Sequence, residues 1–583
     1  MQHYDLIIKN GLVFDGLGNK PQHADVAIKN GIVAKIDANG IDSDAAHIID
    51  AQGQWVTPGF IDLHTHYDVE LMVAPSLSES VRHGVTTCFI GSCSISMIFS
   101  ATEDASDIFT RVESIPREQV LPILHKTKTW SDAKGYVAYL TQHSMGPNIA
   151  SYAGHSDLRV AVLGLDRAVD PKDKPTKAEM HTMQGLLQEA LDEGLLGFSS
   201  MTNPWDKVDG DRQRSAALPS VYARWSEYRA FHKQLREQDA ILQSAPNLTT
   251  KINALFFLFT SASLFVRRSL RTTLITLMDP KTDPMLSRLA GFGANLFNKL
   301  LRSNFRWQAL PSPFQVYSDG IDFIIFEEFP TGEMALHLEQ DFERNKLFED
   351  SSYRARFKKD YRRRFGGKVW HRDFNDAWIM QCPDESVVGK SIGEVAKQRG
   401  QHEVDAFLDL LIDHGRALRW RTTIANHRPQ QVRRNISQAC ALIGFSDAGA
   451  HLRNMAFYNF PLHMLQWSLK PNSQISPEFA VYRLTGEIAQ WYSIDAGVLQ
   501  QGRRADIAIV DPVALEQENL DSYAEAPFKE LGGLMRVVNR NDKVVKATII
   551  NGRLAWNGEK FSEDLGSSTG YGQFLRRNLS DPV

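Results

Sequence analysis

The sequence has few cysteines, no strong excess of either charge and no apolar run long enough to cross a bilayer. Its 583 residues include four cysteines, Cys88, Cys93, Cys382 and Cys440, whose spacing matches no disulfide framework, so a reducing compartment is expected. A net charge of -4 lacks the basic excess that is typical of nucleic-acid binding, so no nucleic-acid partner is predicted. The most apolar stretch, 252–266, is shorter than the ~20 residues that span a membrane.

The N-terminus indicates a polar strand and not a basic stretch followed by an apolar core, so no secretory signal is predicted. We therefore expect a cytoplasmic protein without a transmembrane segment. The apolar segment 252–266 is predicted to be a buried helix, with a lipid-facing amphipathic helix as the alternative. The sequence leaves homo-oligomer formation open.

The two ends of the chain share one pattern, in which short strands alternate with Asn-Gly turns. This pattern predicts one β domain built from residues 1–57 and 497–560. Residues 58–496 alternate strand-like and helical patterns, which favours a parallel (β/α) barrel. The alternation breaks down around 279–389, which we interpret as an insertion between barrel strands 6 and 7. Residues 561–583 form a C-terminal tail.

Two histidines end an apolar strand in the segment 58–68, Pro-Gly-Phe-Ile-Asp-Leu-His-Thr-His-Tyr-Asp. Because side chains alternate along a strand, His64 and His66 point the same way and are able to bind one metal ion. Barrel enzymes place catalytic groups at such strand ends. The pair therefore predicts a metal site.

Further metal ligands are expected from later strand ends. Cys93 follows an apolar strand in Gly-Ser-Cys-Ser, and Asp447 follows another in Phe-Ser-Asp-Ala-Gly. Thiolate and carboxylate groups both suit zinc. A carboxylate beside a metal and its water is also in the position of a general base, so Asp447 is predicted to serve both roles. This combination indicates hydrolysis.

In these motifs the chain resembles the amidohydrolase superfamily, in particular its D-aminoacylase or N-acyl-D-amino-acid deacylase branch. The ordered motifs that carry the resemblance span most of the chain and are 58–68, 83–87, 91–93, 154–159, 197–200, 446–451, 497–499 and 502–511. The resemblance implies a (β/α)8 TIM-type barrel with a small β-sandwich domain formed by both termini. It further implies zinc-dependent hydrolysis of an N-acyl amide, with Cys93 as a metal ligand and Asp447 as the base.

The chain departs from this branch in the stretches that correspond to strands 5 and 6. D-aminoacylases supply two more histidines there, whereas 241–246 and 272–278 contain none. The expected cofactor is therefore one or two zinc ions, with a mononuclear site favoured. Gln243 is a weak substitute ligand.

Other polar residues follow predicted strands and are candidates for the site. His155 is predicted to reach the pocket as a metal ligand, a catalytic proton donor or a group that polarises a carbonyl, with a buried structural histidine as the alternative. The residues predicted to bind substrate are Arg159, Arg453, His451 and His427, because arginine matches a carboxylate in bidentate fashion and His427 is expected near the end of strand 7.

The predicted substrate is a small N-acyl amino acid, with a D centre or an apolar, lipid-like acyl chain left open. A cyclic amide hydrolase of the hydantoinase or dihydroorotase type is the nearer alternative. The other is a metal-poor barrel that has no catalytic role and serves as a scaffold, which the missing histidines motivate.

Overall fold

A computed structural model describes residues 3–247, 250, 252–263, 267–338, 340–363 and 368–578. The end of the predicted apolar segment, 264–266, and the end of the tail, 579–583, lie outside the described residues. The strands, in chain order, are β1 (Tyr4–Val13), β2 (Gln22–Lys29), β3 (Ile32–Asp37), β4 (Ala45–Asp50), β5 (Trp55–Pro58), β6 (Phe60–Asp62), β7 (Val85–Ile90), β8 (Asn148–Ser151), β9 (Ala153–Gly154), β10 (Gly197–Met201), β11 (Ile241–Ala245), β12 (Arg271–Ile275), β13 (Asn304–Ala309), β14 (Phe314–Asp319), β15 (Trp378–Gln381), β16 (Arg419–Ala425), β17 (Ala441–Ile443), β18 (Ile507–Val510), β19 (Ala524–Phe528), β20 (Leu534–Val538), β21 (Val545–Ile550) and β22 (Arg553–Trp556).

The helices alternate with the barrel strands and fill the segments between them. They are α1 (Glu70–Val73), α2 (Ser78–Arg82), α3 (Thr102–Glu113), α4 (Arg117–Thr127), α5 (Ala133–Gln142), α6 (His155–Leu163), α7 (Leu165–Ala168), α8 (Lys177–Asp192), α9 (Trp225–Glu237), α10 (Ile252–Ser261), α11 (Leu286–Leu300), α12 (Pro330–Leu336), α13 (Asp341–Glu349), α14 (Ser351–Arg362), α15 (Ile392–Arg399), α16 (Glu403–His414), α17 (Pro429–Ile436), α18 (Phe460–Leu469), α19 (Pro477–Leu484), α20 (Gly486–Tyr492) and α21 (Pro512–Gln517).

Eight parallel strand positions curl into a TIM-type barrel, as predicted. The neighbours are β6, β7 and β8 on one side and β9, β10, β11, β12, β13 and β17 on the other, with β8 and β9 forming the third position. The first and last strands meet where Leu63 N donates to Gly444 O over 2.9 Å and Thr65 bridges Ala448 in parallel. The carboxyl ends of β6, β7 and β17 therefore lie together.

Strands from both ends of the chain form one sheet beside the barrel. Its order is β22, β21, β18, β5, β1, β2 and β3, with β4 paired to β1. Val56, Ile507 and Ile549 are fully buried on it, because alternate side chains of these strands face a shared apolar core. The sandwich arrangement and the domain boundaries remain predictions.

The seventh barrel strand, β13, lies inside the segment that we interpreted as an insertion. Its sequence, Asn-Phe-Arg-Trp-Gln-Ala, alternates polar and apolar residues as a strand does. The segment that leaves the barrel begins after β13. It contains a small sheet in the order β14, β16, β15. Strand β16, which ends two residues before His427, belongs to that sheet. The expectation that His427 follows barrel strand 7 is therefore wrong.

A membrane-spanning helix was not expected, and within the described ranges the structure contains none that is both long and apolar enough to cross a bilayer.

Candidate metal centre

Four side chains meet at the carboxyl ends of three neighbouring barrel strands. His64 and His66 follow β6, Cys93 follows β7, and Asp447 follows β17. The ligand atoms of the two histidines and the cysteine all lie within 4.8 Å of one another, and the three residues are buried. Asp447 is the most accessible member, with 16% of its side chain exposed.

Three separations among these donor atoms are close to those around one tetrahedral ion. His64 Nε2 lies 3.3 Å from Cys93 Sγ and 3.6 Å from Asp447 Oδ1, and His66 Nε2 lies 3.2 Å from the same Asp447 oxygen. A tetrahedral zinc ion with ordinary bond lengths keeps its ligands about 3.4 Å apart. Two imidazoles, a thiol and a carboxylate are also zinc donors. The residues present therefore fit the metal that the motif implies.

The backbone is constrained where it delivers two of these donors. Cys93 and Asp447 adopt left-handed conformations, with φ of 54° and 56°, which are uncommon for residues other than glycine. Cys93 N donates to Gln243 Oε1 over 2.9 Å, and Asp447 N donates to His64 O over 3.1 Å. These hydrogen bonds hold both residues in the geometry that turns their side chains toward the cluster.

A second layer of side chains orients the two imidazoles. His64 Nδ1 lies 2.6 Å from Gln308 Oε1, and His66 Nδ1 lies 2.9 Å from Glu113 Oε1. Because the Gln308 amide oxygen accepts from Nδ1–H of His64, Nε2 of that ring is left with a free lone pair toward Cys93 and Asp447. The Glu113 carboxylate pairs with the charge of His66. Gln308 is the penultimate residue of β13, and Glu113 is the last residue of α3.

The protonation of the cluster follows from burial and from its mutual charges. Burial lowers the pKa of His64 to about 4 and raises the pKa of the Cys93 thiol to about 11. Burial opposes the ionisation of Asp447, but the hydrogen bond and charge of His66 outweigh it and lower the pKa to about 2. Burial would also lower the pKa of His66, but Glu113 and Asp447 raise it well above its usual range.

The sequence and the fold of the chain are similar to those of known proteins. No protein-family model matches the chain. An uncharacterized protein of Mycobacterium tuberculosis is 48% identical over 581 residues, which cover 98% of this chain and 95% of that protein. N-acyl-D-glutamate deacylase of Alcaligenes xylosoxydans xylosoxydans is 31% identical over 197 residues, 34% of this chain and 37% of the enzyme.

A solved structure extends the similarity to the whole fold. The N-acyl-D-glutamate deacylase of Bordetella bronchiseptica, complexed with zinc and a phosphonate inhibitor, matches with a TM-score of 0.65 at 19% identity. The match covers 99% of this chain and 100% of that structure. The chain is therefore similar to enzymes of the amidohydrolase superfamily. It is a distant relative of the D-aminoacylases and N-acyl-D-glutamate deacylases, and the prediction of a hydrolase acting on carbon–nitrogen bonds other than peptide bonds is confirmed at this level.

His451 lies beside the candidate metal cluster. Its backbone N donates to Glu113 O over 2.8 Å, and its Nδ1 lies 3.1 Å from Ser114 Oγ. Burial lowers its pKa to about 4, although Asp447 acts against this shift. A neutral imidazole therefore borders the cluster on the α3 side.

Two predicted site residues are held by a buried carboxylate. His155 Nε2 lies 2.8 Å from Glu227 Oε1, its Nδ1 lies 2.9 Å from Ser220 Oγ, and Arg159 Nη1 donates to Glu227 Oε2 over 2.5 Å. Both ring nitrogens of His155 are thus occupied by protein groups, and the ring is fully buried. The prediction that His155 is catalytic is therefore corrected to a structural role. Neither ring nitrogen is free to contact a substrate.

Arg453 and His427 were also predicted to bind substrate, but the structure places them in other surroundings. Arg453 pairs with Asp319 over 2.8 Å and with Glu525 over 3.0 Å, so its guanidinium already has two carboxylates. His427 is exposed and follows β16 of the small sheet, outside the barrel. The structure therefore does not bring either residue to the metal cluster.

The sequence interpretation missed Gln308 and Glu113. Gln308 lies on a strand that was assigned to the insertion, so no barrel position was considered for it. Glu113 is the last residue of a helix, and only the fold reveals that it faces His66. A polar residue near the end of the pattern Phe-Arg-Trp-Gln-Ala was the one available signal for Gln308.

Proposed function

We propose that this protein cleaves the amide bond of an N-acyl amino acid and that zinc held by His64, His66, Cys93 and Asp447 supports the reaction. The convergence of His64, His66 and Cys93, whose ligand atoms all lie within 4.8 Å of one another, carries the proposal. Asp447 Oδ1 lies 3.6 Å from His64 Nε2 and 3.2 Å from His66 Nε2. A zinc ion bound there would polarise a carbonyl oxygen and lower the pKa of a water molecule.

Asp447 is the proposed general base. It is ionised above a pKa of about 2 and is the ligand with the greatest access to solvent. Its carboxylate accepts a proton from the attacking water, whose oxygen bonds to the carbonyl carbon of the substrate. The same proton then passes to the amide nitrogen as the carbon–nitrogen bond breaks, which yields a carboxylate and an amine.

A mononuclear site is the form that we propose. The strands at which D-aminoacylases supply two further histidines, β11 and β12, contain no histidine. Gln243 on β11 uses its Oε1 to accept from Cys93 N. That contact makes Gln243 a support of the Cys93 turn, which is a different role from that of a second metal ligand.

The proposed substrate class is an N-acyl amino acid, with a D centre favoured by the relatives named N-acyl-D-glutamate deacylase. The proposed substrates include N-acyl amino acids with an apolar acyl chain. We test the class with matched pairs of D and L N-acyl amino acids of increasing chain length, beside hydantoin and dihydroorotate. Turnover of the cyclic amides alone would replace this proposal with the cyclic amide hydrolase.

Metal analysis and one substitution test the site itself. We expect about one zinc per chain, and Asp447→Asn is expected to reduce turnover by at least about 100-fold while the protein stays folded. Asp42→Asn, at an exposed position, serves as the matched control. Less than about 0.2 metal per chain, with no activity on adding zinc, would favour the metal-poor scaffold.

A further inference from the structure

Two neighbouring helices expose bulky apolar side chains on one surface, which we call the α10–α11 face. Phe292 is 67% exposed, Leu300 65% and Leu289 62%. The ring of Phe259 on α10 contacts that of Phe297 on α11, with centroids 4.9 Å apart, so the two helices form one surface. The face consists of Leu255, Phe259, Met285, Leu286, Leu289, Phe292, Leu296 and Leu300, each of which is exposed.

Helix α11 reverses the usual amphipathic arrangement. The residues that it buries are small, namely Ser287, Gly291 and Ala294. Its large apolar residues recur at spacings of three and four along the opposite side, from Met285 to Leu300, and form a continuous stripe. Packing against the barrel would favour the reverse, since burying a leucine or phenylalanine stabilises by about 1.5–3 kcal/mol. The stripe therefore indicates a binding surface.

Cations border the stripe. Arg288 lies four residues before Phe292 and Lys299 seven after it, so both follow one edge, and both are exposed. Arg268 after α10 and Arg434 on the neighbouring α17 are exposed as well. Arg302, two residues after the end of α11, is also exposed.

Acidic side chains are scarce in the same part of the chain. The sequence from 252 to 302 contains two, Asp279 and Asp283. Asp279 is fully buried and pairs with Arg428, and Asp283 is half-buried. The exposed charge of the α10–α11 segment is therefore mainly positive.

An exposed tryptophan extends the face toward α9. Trp225 is 38% exposed, and its ring centroid lies 3.8 Å from that of Phe256 on α10. Tryptophan prefers the boundary between water and hydrocarbon because its ring is apolar and its N–H is polar. Arg224 and Arg229 beside it are also exposed.

We propose that the α10–α11 face binds the surface of an anionic lipid bilayer. Its apolar stripe enters the boundary between headgroups and acyl chains, while the cations along its edge pair with anionic headgroups. With 10 and 15 residues, α10 and α11 are too short to span a bilayer, so the contact is peripheral. This inference is independent of the proposed hydrolysis.

A second copy of the chain is the alternative occupant. A two-fold contact through this face would bring the Arg288 and Lys299 edges of both copies into one interface, where like charges repel. An anionic bilayer pairs those same charges, so the charge pattern favours lipid.

Vesicle flotation tests the proposal with the full chain. We expect binding to phosphatidylcholine vesicles that contain about 30 mol% phosphatidylglycerol, with weaker binding to phosphatidylcholine alone and at about 1 M salt. Phe292→Ser should lower the partition coefficient about tenfold. Arg288→Gln and Lys299→Gln should each lower it about fivefold.

Two matched controls decide the interpretation. Phe342→Ser removes a phenylalanine that is also 67% exposed, on α13, and Lys397→Gln removes an exposed cation on α15; both should bind as the wild type does. Equal binding of Phe292→Ser and the wild type overturns the proposal. No flotation at low salt, with a dimer that Phe292→Ser dissociates in sedimentation, overturns it in favour of self-association.

Discussion

His64 Nδ1 lies 2.6 Å from Gln308 Oε1, in a contact between the first and seventh barrel strands. Both side chains are fully buried, so water does not compete for this hydrogen bond. The amide oxygen keeps the proton on Nδ1 and presents Nε2 to Cys93 and Asp447. This contact therefore joins the metal centre to the seventh barrel strand.

We predict that Gln308→Leu weakens zinc binding by about 10- to 100-fold, because the imidazole loses the group that fixes its tautomer and orientation. Competition with a chelator measures the affinity. Gln308→Glu keeps an acceptor at the same place and should retain tighter binding than the leucine variant. Equal affinities of both variants would contradict the positioning role.

Cys93→Ser tests the thiol as a direct ligand. Loss of one of four donors should reduce zinc affinity by more than about 100-fold, which exceeds the effect of a second-layer change. Cys382→Ser, at a half-buried cysteine outside the cluster, is the control and should leave the affinity unchanged. Zinc binding of Cys93→Ser at the wild-type level would remove this residue from the ligand set.

Glu227→Gln tests the structural role of the buried cluster around His155. Removing the charge that pairs with Arg159 leaves a buried guanidinium without its counter-ion, which should lower the free energy of unfolding by about 3–5 kcal/mol. Chemical denaturation measures the loss. Zinc content should stay unchanged, because no contact joins Glu227 to the metal cluster among the interactions of the described residues. Unchanged stability with lost zinc would show that the cluster serves the metal instead.

His232 predicts how stability depends on pH. Burial lowers its pKa to about 3, so the unfolded chain binds a proton between pH 6.5 and 3 that the folded chain does not. Stability is therefore lost as the pH falls below 6.5, by about 2 kcal/mol at pH 5. His232→Leu should remove this contribution in denaturation at pH 8 and pH 5.

The control for this experiment is His181→Leu, at an exposed histidine on α8. It should keep the wild-type difference in the free energy of unfolding between the two pH values. The assignment to His232 fails if its leucine variant also keeps the full difference.

The barrel and half of the candidate site were predictable because they depend on local pattern. Apolar strands that end in polar residues identify strand ends, and the alternation of side chains places His64 beside His66. Cys93 and Asp447 stand out for the same reason, since each follows such a strand and a turn. Strand β13 was missed because it lies in 279–389, which was interpreted as an insertion, although Arg306 and Gln308 alternate with apolar residues as in a strand. His155 was misjudged because Glu227 lies 72 residues away.

The sequence by itself indicated the parallel barrel, the resemblance to the superfamily and the four candidate donors of the predicted metal site, because all of these follow from short-range periodicity and motif order. Only the tertiary structure decided which groups orient and neutralise those donors. Gln308 and Glu113 reach the histidines across 244 and 47 positions of the chain, through barrel closure and helix packing. Such contacts depend on how elements pack, and no local pattern in the sequence records them.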